Sequence, residues 1–164
     1  MSKDAPPVAL AEAEAEAVMA RVHALVEVPA GPALAAALAG IDEDAAPGLG
    51  LTYVMQARAR QANHERGELL ATVGRILHYP IAGVAVSLTG PDEFAVDEVR
   101  AGLRLTRKAA AKLCELAWDL RRRLPRVLDA MRDGRLDQPR GQVFCTWTRG
   151  ESLSSSAKKL RIWR

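Results

Sequence analysis

Between Asp92 and Trp147 the apolar residues recur at steps of three and four, the spacing of one face of an α-helix. Leu105, Ala109, Leu113, Leu116, Leu120 and Leu124 form one such stripe, and Arg107, Lys108, Lys112, Arg122 and Arg123 fall mostly off it. The pattern predicts an amphipathic helix with a basic outer surface. Thr106 is placed to cap its first turn, and Pro125 ends it while suiting the first position of the next helix. That next helix runs from Pro125 to about Asp133 with Val127, Leu128 and Met131 inward, and Gly134 stands where a left-handed C-terminal cap is wanted. Asp137 then caps a further helix expected to bury Val143, Phe144 and Trp147. Upstream, Pro91-Asp92 opens a helix carrying Phe94, Val96, Val99 and Leu103, and Leu103-Arg104-Leu105-Thr106 turns it into the basic one.

The first half is less sharply patterned. Val8 to Val28 reads as an alanine-rich helix with a partial stripe of Leu10, Val18, Val22, Leu25 and Val26, and Glu12, Glu14 and Glu16 lie near its start, where the helix dipole favours acid. Pro29-Ala30-Gly31-Pro32 breaks it, and Pro32 starts a short helix carrying Leu34, Ala35 and Leu38 to Gly40. Residues 41–50 form a loop. Leu51 to about Leu77 is then the longest helix, about 40 Å at 1.5 Å per residue. Its apolar positions are Leu51, Met55, Ala62, Leu69, Val73 and Ile76, with Val54, Leu70 and Leu77 beside them. Gly67 near its middle costs about 1 kcal/mol relative to alanine and marks a bend or a close crossing. In residues 79–90, Val84, Val86 and Leu88 alternate between Pro80, Gly83 and Gly90; one strand without a partner cannot form a sheet, so the segment is read as a buried loop or linker. Residues 1–7 read as a disordered start. Residues 151–164, a serine cluster followed by Lys158, Lys159, Arg161 and Arg164 around Leu160, Ile162 and Trp163, read as an irregular basic tail, truncated or frame-shifted.

The second half also matches a known pattern. The string Asp97-Glu98-Val99, Leu103-Arg104-Leu105-Thr106-Arg107-Lys108-Ala109-Ala110, Glu115-Leu116-Ala117, Arg123-Leu124-Pro125 and Leu128-Asp129-Ala130-Met131-Arg132-Asp133-Gly134-Arg135-Leu136 closely resembles the N-terminal domain of the actinobacterial 13E12-repeat proteins. The resemblance extends more weakly upstream to Gly31-Pro32-Ala33-Leu34, so it covers roughly residues 20–150. In that family a helical domain of unknown function commonly precedes an HNH endonuclease domain. The resemblance implies a neighbourhood beside a nuclease; it carries no activity for this half.

Composition agrees with helices. Aromatic residues make up only 4% of the 164, whereas strands favour aromatic and branched side chains. The expected fold is all-α, a bundle of about six helices with one long central helix, occupying residues 8–150. Cys114 and Cys145 have no partner at metal-ligand spacing, which points to a reduced, cytoplasmic setting with both thiols as buried bystanders. No apolar run reaches the ~18 residues of a membrane span, and no charged n-region with an apolar core opens the chain, so neither membrane insertion nor secretion is expected.

Charge changes the picture more than composition does. The net +3 conceals a polarity: residues 1–50 hold 2 basic and 8 acidic side chains, and residues 100–149 hold 13 and 5. Two readings follow. The positive end attracts nucleic-acid phosphates, or it is a solvated face neutralised by the acidic first third, within the molecule or in a second copy.

Catalytic chemistry finds little support. An HNH nuclease needs paired histidines and further metal ligands, whereas His23, His64 and His78 fall on three separate segments. In Asn63-His64-Glu65-Arg66 the histidine and glutamate point about 100° apart on a helix, with no further ligand one turn on, so His64 is read as a surface or packing residue. Ser87 and the terminal serines lack a glycine-flanked elbow, and no phosphate-cradling glycine loop occurs. No catalytic, metal-binding or cofactor-binding residues are expected. Trp118 projects to the side of the basic helix, where it either stacks on a base or packs against the long helix. The functional expectation is a non-catalytic accessory domain that contacts DNA through Arg107, Lys108, Lys112, Arg122, Arg123 and Arg126. The alternative is a protein-interaction or oligomerisation bundle in which acidic N-terminal and basic C-terminal surfaces pair.

Overall fold

The structure is a computed structural model that describes residues 8–78, 91 and 93–149. The expectations for residues 1–7, 79–90 and 151–164 lie outside the described residues. Among the described residues there are seven α-helices and no strand: α1 (Val8–Ala24), α2 (Pro32–Ala39), α3 (Gly48–Ile76), α4 (Glu93–Gly102), α5 (Arg107–Arg122), α6 (Pro125–Arg132) and α7 (Gln138–Thr148). The all-α class and the long central helix are as expected, with one helix more than the count of about six.

α3 is the spine, and its two ends serve different cores. Near its start, Val54 and Ala57 pack with Val18, Val22 and Leu25 of the α1 segment and with Leu34 and Leu38 of α2. Near its end, Leu70, Ala71, Val73 and Leu77 join Ala95 and Val99 of α4, Leu113, Cys114, Leu116, Ala117, Trp118 and Leu120 of α5, Leu128 and Met131 of α6, and Cys145 of α7.

Between the two cores α3 is polar, and those side chains tie off the backbone ends of other helices. The Arg60 guanidinium donates to the carbonyls of Leu25 and Val26, satisfying acceptors left open where α1 ends. Gln61 Oε1 accepts the Gly31 amide at 2.8 Å, just before α2. Asn63 Nδ2 donates to Gly134 O at 3.2 Å, and the His64 ring bonds the Arg132 carbonyl, both at the end of α6. The packing role read for His64 is thus its observed one.

Two close approaches set how α6 lies on α3. A Cβ at Gly67 would stand 2.6 Å from the Arg132 amide nitrogen and 2.8 Å from the Met131 carbonyl carbon, so this is the close crossing rather than a bend. Gly134 follows α6 at φ 76°, with Gly134 N bonded to Met131 O at 2.9 Å and Arg135 N to Ala130 O at 3.0 Å. That is the left-handed cap expected there.

Helix phase departs from expectation in four places. On α3 the buried residues are Gly50, Val54, Ala57, Gly67, Leu70, Ala71, Val73 and Gly74; Val73 is inward as expected, while Leu51, Met55 and Ala62 face solvent. The face is chosen by where small residues let another backbone approach. On α4, Ala95 and Val99 turn inward and Phe94 and Leu103 are exposed. On α5, Ala110, Cys114 and Ala117 join the inward leucines, and Ala109 is exposed. α7 differs most: it buries Gly141 and Cys145 and exposes Val143, Phe144 and Trp147. A Cβ at Gly141 would lie 2.9 Å from Met131 Sδ, so the smallest residue of α7 meets α6 and the large ones are turned away. Val26 and Ala35 are exposed as well.

Candidate nucleic-acid interface

α5 begins where the chain stores positive charge. Thr106 caps it as expected, its Oγ1 accepting the Ala109 amide at 3.3 Å. The first turn holds Arg107 and Lys108 and no acid. Cations there oppose the helix dipole at a cost of about 0.3–1 kcal/mol each, and their field adds to that of the free amides instead of cancelling it. Lys112 follows one turn after Lys108 on the same exposed face. Among the described residues none of these three is in an ion pair; the charge is held open to solvent.

The turn before α5 adds a fourth cation that the sequence reading left out. Arg104 adopts φ 52°, with Arg104 N bonded to Ala101 O at 3.3 Å and Leu105 N to Arg100 O at 3.0 Å. This is the same cap that Gly134 makes after α6, built on a residue with a side chain. The signal available in the sequence was the lack of a glycine between Leu103 and Thr106. Behind the turn a groove of about 520 Å³ is lined by Leu103, Leu105, Leu69, Lys112, Arg66 and Gln138.

The other three expected contacts sit at the far end of α5, roughly 24 Å away at 1.5 Å per residue. Arg122 lies over the Trp118 ring at 5.2 Å, and Trp118 is buried and stacked on His78 with centroids 4.4 Å apart. Trp118 therefore packs at the end of α3 and is not presented to a base. Arg123 donates from Nη1 to Asp119 Oδ1 at 3.2 Å and from Nη2 to Thr148 Oγ1 at 2.9 Å. Arg126, in the first turn of α6, is exposed without an ion pair among the described residues.

Asp119 explains why the basic face is not continuous. It is only 4% exposed, and besides Arg123 it receives Arg149 at 2.7 Å from Nε and 2.6 Å from Nη2. A carboxylate this buried requires such partners, so two arginines are committed to clamping the end of α7 onto α5. Glu115, between the two basic groups, stands 4.0 Å from Arg149. The six expected residues therefore divide. Arg107, Lys108 and Lys112, with Arg104 in the turn before them, are exposed without an ion pair among the described residues, whereas Arg122 and Arg123 are engaged in holding the fold.

The remaining reactive groups are quiet. Burial pushes the Cys114 thiol up from 9.0 to about 11, and burial followed by the Asp119 charge raises that of Cys145. Both thiols are free and buried. His23 meets Tyr53 edge-on at 5.4 Å, and His78 Nδ1 bonds Gly74 O at 2.7 Å. Among the described residues no group of three or more His, Cys, Asp or Glu side chains is placed to hold a metal ion. No helix there is long and apolar enough to cross a membrane.

Fold and surface together define an all-α domain with a cation cluster at the start of its fifth helix. The chain belongs to the DUF222 family, described as a domain of unknown function, whose family model matches residues 56–160. No curated protein and no solved structure matches the chain.

Proposed function

We propose that this domain is a non-catalytic accessory module that contacts DNA phosphates through Arg104, Arg107, Lys108 and Lys112. The observation that carries the reading is the first turn of α5: two cations and no acid stand at the positive end of a helix dipole, without partners among the described residues. Such an arrangement is unfavourable for the isolated domain and favourable for an incoming polyanion. Arg126 joins from α6, whereas Arg122 and Arg123 contribute charge from within their packing contacts. The similarity to 13E12-repeat proteins supports a place beside an HNH nuclease, with this domain holding DNA and the nuclease cutting it.

Titrating duplex DNA across salt concentrations tests the reading. Affinity should fall with a log-log slope of about −0.9 per phosphate contact, and replacing Arg107 and Lys108 together by alanine should reduce that slope by about two. The loss should be similar for unrelated sequences, because phosphate contacts carry little base information. Absence of binding by the unaltered chain at low salt overturns the proposal.

A further inference from the structure

The groove behind the turn into α5 holds more apolar surface than a phosphate contact needs. It measures about 520 Å³, and its lining includes five leucines, among them Leu103 and Leu105, which flank the left-handed Arg104. Leu103 is 38% exposed there. Two cations, Arg66 and Lys112, and two amides, Gln138 and Gln142, make up the polar lining, and none of the lining residues is a carboxylate. Arg66 donates from Nε to Gln138 Oε1, which leaves its Nη groups without a carboxylate partner among the described residues and leaves Gln138 its Nε2 to donate. Lys112 and the side-chain amide of Gln142 are likewise unengaged among the described residues.

We infer that this groove receives an unpaired base of a DNA strand whose phosphates lie on Lys108 and Lys112. The inference rests on the DNA-contact reading above and names the form of DNA that the site takes. A duplex keeps its bases inside the stack, whereas a strand with a base turned out offers an apolar face and a phosphate side by side. The groove has a counterpart for each part. Leucine side chains meet the face of the base, and the glutamine amides meet its edge, which carries both donors and acceptors. Lys112 borders the groove, and Lys108 stands one turn away on the same helix face, about 6 Å along α5. A polymer with an anion on every unit meets both lysines, whereas an acidic peptide needs its carboxylates placed by sequence, and a lone apolar anion engages Lys112 only. Since every base has an apolar face, the contact adds affinity with little sequence preference.

Fluorescence anisotropy of the full chain, at low salt and over a salt series, compares three ligands: a mixed-sequence single strand, a strand of equal length built of abasic sugar-phosphate units, and a duplex of the same sequence. The intact single strand should bind about tenfold more tightly than the abasic one, the order expected for taking part of one base face out of water. The salt slopes of these two should agree, because their phosphates are the same. Leu103→Ser should bring the intact strand down to the level of the abasic one, and Gln142→Ala should narrow the gap. Both side chains are exposed, so circular dichroism should stay unchanged. Failure of all three ligands to bind overturns the DNA-contact reading and this inference with it. Equal binding of intact and abasic strands, or binding of the duplex alone, leaves the phosphate contact standing and overturns the groove inference by itself. A gap that survives Leu103→Ser also overturns it, because the bases then lie elsewhere and the groove is left to an apolar peptide.

Discussion

Near the start of the long helix Gly50 faces the thioether of Met19, while at the α6 crossing Gly67 faces the backbone of Arg132. A Cβ at Gly50 would stand 3.1 Å from Met19 Sδ, the flexible end of a side chain; at Gly67 it would stand 2.6 Å from a backbone nitrogen. The two halves of the domain are built differently around these two glycines. The first packs α1 and α2 onto α3 through buried alanine, valine and leucine side chains. The second seats α6 directly on the α3 backbone and surrounds the crossing with the larger core, including Trp118, Met131 and the clamped Asp119. The family match, residues 56–160, takes in all of the second core and only Ala57 of the first. The contrast teaches that one continuous helix can carry an adaptable contact and a fixed one, and that the fixed one is where the basic cluster is mounted.

The largest effect should come from breaking that contrast at its sharpest point. Gly67→Ala should cost about 3 kcal/mol or more, since α6 must lift off α3 to admit a methyl group. Gly50→Ala should stay within about 1 kcal/mol of the parent, because Met19 can swing aside and alanine is the better helix former. Urea unfolding of the two variants decides it, and equal losses would remove the distinction between the halves.

A second effect, of intermediate size, reports on how dry the larger core is. With the folded Cys114 thiol pushed up to about 11, the unfolded chain ionises first as pH rises past the usual thiol range. The stabilising difference is fully present below about pH 9 and is lost as pH approaches 11, a decline of roughly 2–3 kcal/mol. Stability measured from pH 8 to 11 should show a steeper fall for the parent than for Cys114→Ala; parallel curves would mean that water reaches the thiol.

The smallest effect tests strain beside the basic cluster. Arg104 holds a left-handed conformation that costs a residue with a side chain about 1 kcal/mol, so Arg104→Gly should raise stability by about 0.5–1 kcal/mol. The same change removes a cation from the proposed DNA contact. A thermal melt showing no gain would mean that the Arg104 side chain contributes packing that offsets the strain.

Helix positions were legible from residues alone because caps and breakers act locally. Thr106, Asp137, Pro32, Pro125 and Gly134 sit where the chain starts or stops helices, and the structure uses each of them so. The stripe on α5 was legible too, since Leu113, Leu116 and Leu120 face a core on three sides. The candidate site was legible only as a segment rich in cations. That Arg107, Lys108 and Lys112 stay open while Arg123 is taken up by Asp119 depends on α7 arriving beside α5, and no local spacing records that arrival.

What the amino-acid sequence by itself determined is the order and class of the helices, together with the separation of acidic and basic ends, because propensity, capping and charge are properties of neighbours along the chain. The helix ends moved by up to a turn, α1 stopping at Ala24 rather than Val28 and α3 starting at Gly48 rather than Leu51. Tertiary structure decided which face α3, α4 and α7 bury. α3 and α7 carry apolar residues on more than one side, so their periodicity selects no unique face, and the choice fell to Gly67, Gly74 and Gly141. Close packing rewards the shortest distance between backbones, and the smallest residues set that distance wherever two helices cross.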